Sequence, residues 1–165
     1  MGEQIWRDCE FAKTYGFMEP RSVMFVLQSD TDTEKERHMS NDKSKRNIDL
    51  AVDVYQWLKE HEMFDGCIIY FNGIAIYSES TWGGEHGTLM PDGIGYVYHN
   101  RRATDYFEYG NDDTVSMSFD GSDLYDVLNL DWEYPYLSED FRKVFERHGM
   151  FFELGYSWSL SAYSI

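Results

Sequence analysis

Hydrophobic residues follow a helical spacing in four segments of this chain. The most regular pattern predicts an amphipathic helix over residues 44–61, because apolar side chains recur there three and four positions apart. These side chains are Ile48, Ala51, Val52, Tyr55 and Leu58. Weaker patterns predict helices over residues 3–14, 124–128 and 138–148, and Gly149 ends the last of them.

Strand patterns occupy much of the remaining chain. Residues 67–71 and 74–78 flank Asn72-Gly73, a pair that accepts positive φ at both central positions of a tight turn, so they predict a β-hairpin. Further strands are predicted over residues 22–29, 94–100, 105–109, 114–119 and 152–162. The polar residues 30–43 predict a mobile loop, and the glycine-rich residues 83–93 predict a second loop.

Together these patterns predict a single α+β domain over residues 1–165. We expect a mainly antiparallel sheet of about six strands, arranged as a meander, with three or four helices. The chain is shorter than the roughly 200 residues of the smallest eight-stranded α/β barrels. Its composition, 42% hydrophobic and 18% aromatic, is sufficient for a buried core.

The chain is strongly acidic. It has 14 basic and 30 acidic residues, which give a formal net charge of −16. DNA, RNA and anionic membranes attract basic surfaces, so this charge argues against direct binding to a nucleic acid or a membrane. Most of the imbalance lies after Met63, where five basic residues accompany seventeen acidic ones.

The acidic residues concentrate between Arg102 and Arg142, where eleven occur without one basic residue. They are Asp105, Glu108, Asp112, Asp113, Asp120, Asp123, Asp126, Asp131, Glu133, Glu139 and Asp140. Like charges three positions apart repel on a helix, so folding gives no reason for this pattern. A basic partner does, because charge of one sign raises encounter rates, and the interleaved aromatic residues supply the ring type found at interface centres.

In size, charge and acidic-aromatic patterning over residues 105–140, the chain resembles the small acidic inhibitors of phages and mobile elements, of the antirestriction and anti-CRISPR type. The resemblance implies a non-enzymatic inhibitor without a cofactor, which imitates nucleic acid in the basic groove of a bacterial defence nuclease or its ribonucleoprotein. The first 63 residues depart from the pattern, since they are close to charge-balanced and hold Lys43, Lys45 and Arg46 together. The implied partner-binding residues are Asp105, Glu108, Asp112, Asp113, Asp120, Asp123, Asp126, Asp131, Trp132, Glu133, Tyr134 and Tyr136.

Two other functions fit parts of the same sequence. An acidic immunity or antitoxin-like protein that neutralises a basic toxin would have the same electrostatics. Residues 130–135 also resemble the active-site strand of chitinase-type glycoside hydrolases, which implies Glu133 as general acid and Asp131 as its supporting carboxylate. Asp123 lies eight positions before Asp131, whereas that family has these two carboxylates two positions apart on one strand.

Other sequence features concern metal binding, the cysteines, localisation and self-association. Glu85, His86 and His99 are candidate metal ligands, but adjacent side chains rarely face one ion, so we expect no metal site. Cys9 and Cys67 are expected to be reduced structural thiols. The sequence shows neither a signal peptide nor a membrane-spanning run, which favours the cytoplasm of a bacterial host cell. An edge strand at residues 105–109 would allow a homodimer.

Overall fold

The computed structural model describes residues 34–79, 87–130 and 132–165, and there it confirms the α+β fold class. Three α-helices accompany a seven-stranded antiparallel sheet with the order β3-β4-β2-β1-β5-β7-β6. The helices are α1 (Glu34–Glu60), α2 (Leu124–Asn129) and α3 (Pro135–Glu146). The strands are β1 (Ile68–Phe71), β2 (Ile74–Ser78), β3 (Thr88–Leu89), β4 (Gly95–His99), β5 (Ser116–Ser118), β6 (Met150–Tyr156) and β7 (Ser159–Ser164).

The predicted hairpin is confirmed and lies near the centre of the sheet. Asn72 and Gly73 have φ values of 49° and 72°, as the tight turn between β1 and β2 requires. The prediction of a simple meander is wrong, because the chain leaves β4 on one side of this hairpin and crosses to β5 on the other. Because β5 runs between the two ends of the sheet, the acidic residues before β5 lie at one end of the strands and those after β5 lie at the other.

The helices cover one face of the sheet and form the larger core. Leu50, Val54 and Leu58 of α1 are fully buried, as are Phe141 and Phe145 of α3. They pack in one cluster with sheet residues such as Ile69, Met117 and Leu160. Among the described helices, none is long and apolar enough to cross a lipid bilayer.

A smaller aromatic cluster covers part of the opposite face, and it explains why the strand predicted over residues 105–109 is absent. Phe107 is buried against Tyr70 and Trp158, with ring centroids 5.9 Å from each. The chain turns tightly here, since the Phe107 amide donates to the Ala103 carbonyl at 3.0 Å. Phe107 is therefore the buried anchor of a turn, and the edge strand proposed for a homodimer does not form at these residues.

Helix α1 begins ten residues before the predicted start, so the loop predicted over residues 30–43 is wrong from Glu34 onward. Residues 34–43 contain no Gly or Pro, and several are good helix formers. Extending an existing helix needs no new nucleation, so a polar stretch whose only apolar residue is Met39 can continue it. The helix predicted over residues 3–14, the strand over residues 22–29 and the candidates Cys9, Glu85 and His86 lie outside the described residues.

The strand predicted over residues 152–162 is a hairpin of β6 and β7, with Ser157 and Trp158 between them. The sequence alternation continues through the turn, but the pairing register shifts between Leu154 and Tyr156. Such an irregularity moves the following side chains to the other face. Tyr156 and Trp158 therefore stack on each other at 5.1 Å, on the face that Phe107 covers.

Candidate functional site

The sheet separates the acidic stretch into two groups. Strand β5 pairs with β1 so that Ser116 lies opposite Tyr70, near the Asn72-Gly73 turn, and Ser118 lies opposite Ile68. Asp105, Asp112 and Asp113 precede β5 and lie at the turn end of the sheet. The residues that follow β5 lie at the other end, and these are Asp120, Asp123 and Asp126 with the segment up to Tyr136.

The acidic residues at the turn end are paired with basic ones. Arg102 binds Asp105 at 2.9 Å, and this contact lowers the pKa of the Asp105 carboxyl. Asp112 accepts hydrogen bonds from the Thr104 amide and hydroxyl, and Lys43 of α1 binds Asp113 at 3.1 Å. The stretch that lacks bases in sequence thus meets Arg102 and Lys43 in space. These carboxylates are partly neutralised, which weakens them as a substitute for phosphates.

Three further acidic residues have partners within the protein. The Tyr156 hydroxyl donates to the Glu108 carboxylate at 3.3 Å. Lys143 binds Glu139 at 2.9 Å along α3. The indole nitrogen of the core residue Trp57 donates to Asp140 at 2.7 Å. Asp140 therefore helps to dock α3 on α1.

The acidic residues at the other end of the sheet are exposed. Asp120, Asp123 and Asp126 line one shallow, open depression together with Tyr125. Within the described residues no ion pair involves these three carboxylates or that of Glu133, which is also exposed. Asp123 precedes α2 without making a capping hydrogen bond. Their charge is thus left uncompensated in the described part of the chain.

Exposed aromatic residues follow these carboxylates along the chain. Trp132 is 73% exposed and Tyr136 is 86% exposed, whereas the core residue Trp57 is 5% exposed. Tyr134 and Tyr125 are more than a third exposed. We call this group the acidic-aromatic surface, which consists of Asp120, Asp123, Tyr125, Asp126, Trp132, Glu133, Tyr134 and Tyr136. Asp131, which the sequence also assigns to it, lies outside the described residues.

Helix α2 is amphipathic and tightly held. It buries Leu124, Val127 and Leu128, so Tyr125 and Asp126 face outward. Before it, the Ser122 hydroxyl donates to the Met63 carbonyl at 2.6 Å. The Asn129 amide at its end donates to the Ser157 carbonyl at 2.7 Å. These contacts fix α2 and the residue before it against the segment that follows α1 and the turn between β6 and β7.

A close backbone contact fixes the turn before α2. Gly66 has a φ of 77°, and a Cβ atom at this residue would lie 2.7 Å from the backbone of Gly121 and Ser122. Only glycine therefore allows this approach. The turn that carries Asp120 and Asp123 rests directly on the segment between α1 and β1.

The segment between α2 and α3 is also held by its backbone. The amides of Glu133 and Tyr134 donate to the Leu130 carbonyl at 2.8 and 3.4 Å. Helix α3 then starts at Pro135, three residues before the predicted start, because proline suits the first helical position. Trp132 and Tyr134 thus lie in the short turn before α3, and Tyr136 lies in the first turn of that helix.

Sequence reasoning missed Tyr125 and Leu130 as parts of this exposed region, although both are more than a third exposed. The pattern of Leu124, Val127 and Leu128 contained the signal, since it places residue 125 on the outer side of the helix. The glycoside hydrolase resemblance needs a strand over residues 130–135. In the structure Glu133 lies in an exposed turn, and the residues just before this range, 124–129, form a helix.

No family model, curated protein or solved structure matches this chain. Within the described ranges, no group of three or more His, Cys, Asp or Glu residues has an arrangement that would hold a metal ion. His99 is exposed at the end of β4. These observations leave the acidic-aromatic surface as the candidate site.

Cys67 is a buried cysteine whose thiol donates to the Met63 carbonyl at 3.3 Å. Burial raises the pKa of this thiol to about 12. Because the thiolate is the nucleophilic form, Cys67 is an inert core residue at neutral pH. It has the structural role expected from the sequence.

Alkaline pH will destabilise the fold. Burial raises the pKa of both the Cys67 thiol and the Tyr70 hydroxyl to about 12. The unfolded groups titrate near about 8.5 and about 10, so the folded chain holds both protons more tightly. This stabilisation is complete below about pH 8 and is lost as the pH rises from about 8.5 to about 12. Urea midpoints will show the fall, which will be smaller in Cys67→Ala, and a midpoint that stays constant to about pH 10.5 would contradict the prediction.

Proposed function

We propose that this protein is a non-enzymatic inhibitor that binds a basic nucleic-acid-binding groove of a bacterial defence nuclease, in the manner of anti-CRISPR and antirestriction proteins. One observation supports the proposal most directly. Asp120, Asp123, Asp126 and Glu133 are exposed without an ion pair in the described residues, and Trp132 and Tyr136, in the same stretch of the chain, are exposed too.

The charge supports a basic partner. A net charge of −16 attracts a positively charged groove over long range and repels nucleic acid. In the bound state, carboxylates would pair with the Lys and Arg residues that otherwise hold phosphates. Nucleic acid and the inhibitor would then compete for the same basic side chains.

The aromatic residues support a protein interface. Tyr and Trp are enriched among the residues that dominate binding energy, because they offer large and rigid contact areas. Rings that stay exposed beside charged groups can become buried when a partner covers them. The backbone hydrogen bonds of the turn that carries Trp132 and Tyr134 reduce the entropy lost on binding.

The proposal divides the sequence-predicted site. The acidic-aromatic surface would enter the groove. Asp105, Asp112 and Asp113 would contribute only long-range attraction, since they are paired with Arg102, Thr104 or Lys43 and lie at the other end of the sheet. Glu108 is exposed and bound to Tyr156, so it would also act at a distance.

The proposal is tested by the salt and competitor dependence of binding. The immobilised full-length chain is exposed to a bacterial lysate at low salt, and the retained proteins are identified. We expect the retained protein to be a basic nuclease or its ribonucleoprotein. It should be released as salt rises from about 0.1 to about 0.5 M, because the Debye screening length then shortens to a few ångströms. The purified partner should then lose its nucleic acid when the protein binds. Binding that is insensitive to salt and leaves the nucleic acid in place would refute nucleic-acid mimicry.

A further inference from the structure

We infer that the groove entered by the acidic-aromatic surface is one that binds single-stranded nucleic acid, with the rings of Trp132 and Tyr136 in the places of unstacked bases. The inference rests on the proposed function and specifies its target. Charge alone would instead suggest a groove that binds duplex DNA.

The exposure of the aromatic rings distinguishes a groove for single-stranded nucleic acid from a groove for a duplex. A duplex keeps the faces of its bases stacked inside and presents phosphates and base edges to a protein. A groove built for a duplex therefore has donors for phosphates and edges but no position for the face of a ring. Carboxylates alone would suffice to occupy such a groove, and exposed rings would have no counterpart in it.

Single-stranded nucleic acid presents both its phosphates and the faces of its bases to a protein. Grooves for single strands combine basic residues along the backbone with aromatic or arginine side chains on which successive bases stack. An occupant of such a groove gains from flat rings as well as from anionic groups. The indole of Trp132 and the phenol of Tyr136 have their faces and edges largely in solvent, at 73% and 86% exposure.

The order of groups along the turn follows the same pattern. Trp132, Glu133 and Tyr134 are consecutive exposed residues, so a carboxylate lies between two rings, and Tyr136 adds a further ring. A single strand likewise alternates base and phosphate, with one charge per nucleotide. Asp126 and Asp123 continue the anionic groups onto α2.

Backbone hydrogen bonds also restrain the described residues of this segment, as a competitor of a flexible strand requires. The Leu130 carbonyl accepts hydrogen bonds from two amides of the turn, and the Ser138 amide donates to the Tyr134 carbonyl at 3.0 Å. A strand must lose conformational freedom to lie in its groove, whereas this backbone is already ordered. The difference favours the protein over the strand.

Elution with defined oligonucleotides tests the inference. Bacterial proteins retained by the immobilised full-length chain are released either with an oligothymidine of about 20 nucleotides or with a DNA duplex at equal phosphate concentration. We expect the single strand to release the specific partner at a concentration about tenfold or more below that of the duplex. Equal or better release by the duplex would overturn the inference and leave the proposed function standing. If the immobilised chain retains no bacterial protein in a salt-dependent way, the proposed function itself is overturned.

Ring substitutions give an independent measurement on the purified partner. Replacing both Trp132 and Tyr136 by Leu should weaken binding by about tenfold per ring, because Leu retains apolar area but has no face for stacking. Replacing both by Phe should bind at least about fivefold more tightly than the Leu pair. Phe151→Leu, at a 40% exposed position on β6, is the matched control and should bind like the wild type. Equal binding by the Leu pair and the wild type would contradict stacking.

Discussion

Replacing Asp120, Asp123 and Asp126 together with lysine will weaken binding to the basic partner by at least about a hundredfold. Each substitution removes an attractive charge and places a repulsive one against the groove, and like charges across an interface cost several kcal/mol. The three residues are exposed and line one depression, so a partner that covers this region would contact all of them. Affinity measured at about 0.1 M salt, with the purified partner, checks the prediction.

The control changes the same net charge elsewhere on the surface. Asp49, Glu146 and Glu153 are exposed acidic residues outside the acidic-aromatic surface. Replacing these three with lysine should lower the association rate but leave affinity within about tenfold of the wild type, because net charge acts mainly through steering. If both triple variants lose affinity equally, only the overall charge matters and the assigned surface is wrong.

Both triple variants are expected to remain folded. Lysine near the start of α2 is unfavourable to the helix dipole, at about 0.3 to 1 kcal/mol for each residue. The buried side of α2, with Leu124, Val127 and Leu128, is unchanged by either set of substitutions. Far-UV circular dichroism and urea midpoints will therefore separate loss of binding from loss of structure.

Phe141→Ala will destabilise the protein by about 3 to 5 kcal/mol, the range for truncating a buried phenylalanine. The Phe141 side chain is fully buried where α3 meets α1 and the sheet. Its ring lies 4.8 Å from that of Trp57, 5.3 Å from that of Phe145 and 5.6 Å from that of Phe152. The substitution would leave a cavity between all three, and urea unfolding at neutral pH measures the loss.

Phe151→Ala is the matched control for this prediction. It removes the same atoms from a 40% exposed residue of β6, so we expect a loss below about 1 kcal/mol. Helix α3 begins beside the exposed rings, so Phe141→Ala should lose folding and partner binding together. The charge-reversed variant should lose only binding. A cost below about 1 kcal/mol for Phe141→Ala would show that α3 does not depend on this contact.

The parts of the fold that sequence predicts correctly are those with local signals. The hairpin follows from Asn72-Gly73 between two apolar runs, and the central part of α1 follows from a stripe of apolar residues. Strands β4 and β5 also lie within predicted segments, and helix α2 extends one residue beyond its predicted segment. In each case the residues that determine the element are close together in the chain.

The errors arise where distant contacts decide the conformation. Residues 105–109 have the aromatic-rich composition of a strand, but Phe107 is buried against Tyr70 and Trp158, which are far away in sequence. The apparent long strand at the C-terminus contains a turn, and β7, which follows that turn, pairs with β6 on one edge and with β5 on the other. Periodicity records which residues are buried, but it does not record which side of the sheet buries them.

For the candidate site, the sequence by itself determined the chemistry: an acidic stretch without bases, with Trp132, Tyr134 and Tyr136 interleaved. Only the tertiary structure decided which carboxylates remain uncompensated. It brings Lys43 to Asp113, whereas Arg102 reaches Asp105 from only three positions away in the sequence, and it leaves Asp120 and Asp126 facing solvent at the other end of the sheet. The physical reason is that charge is a property of each residue, whereas its neutralisation depends on distances of a few ångströms that the whole fold sets.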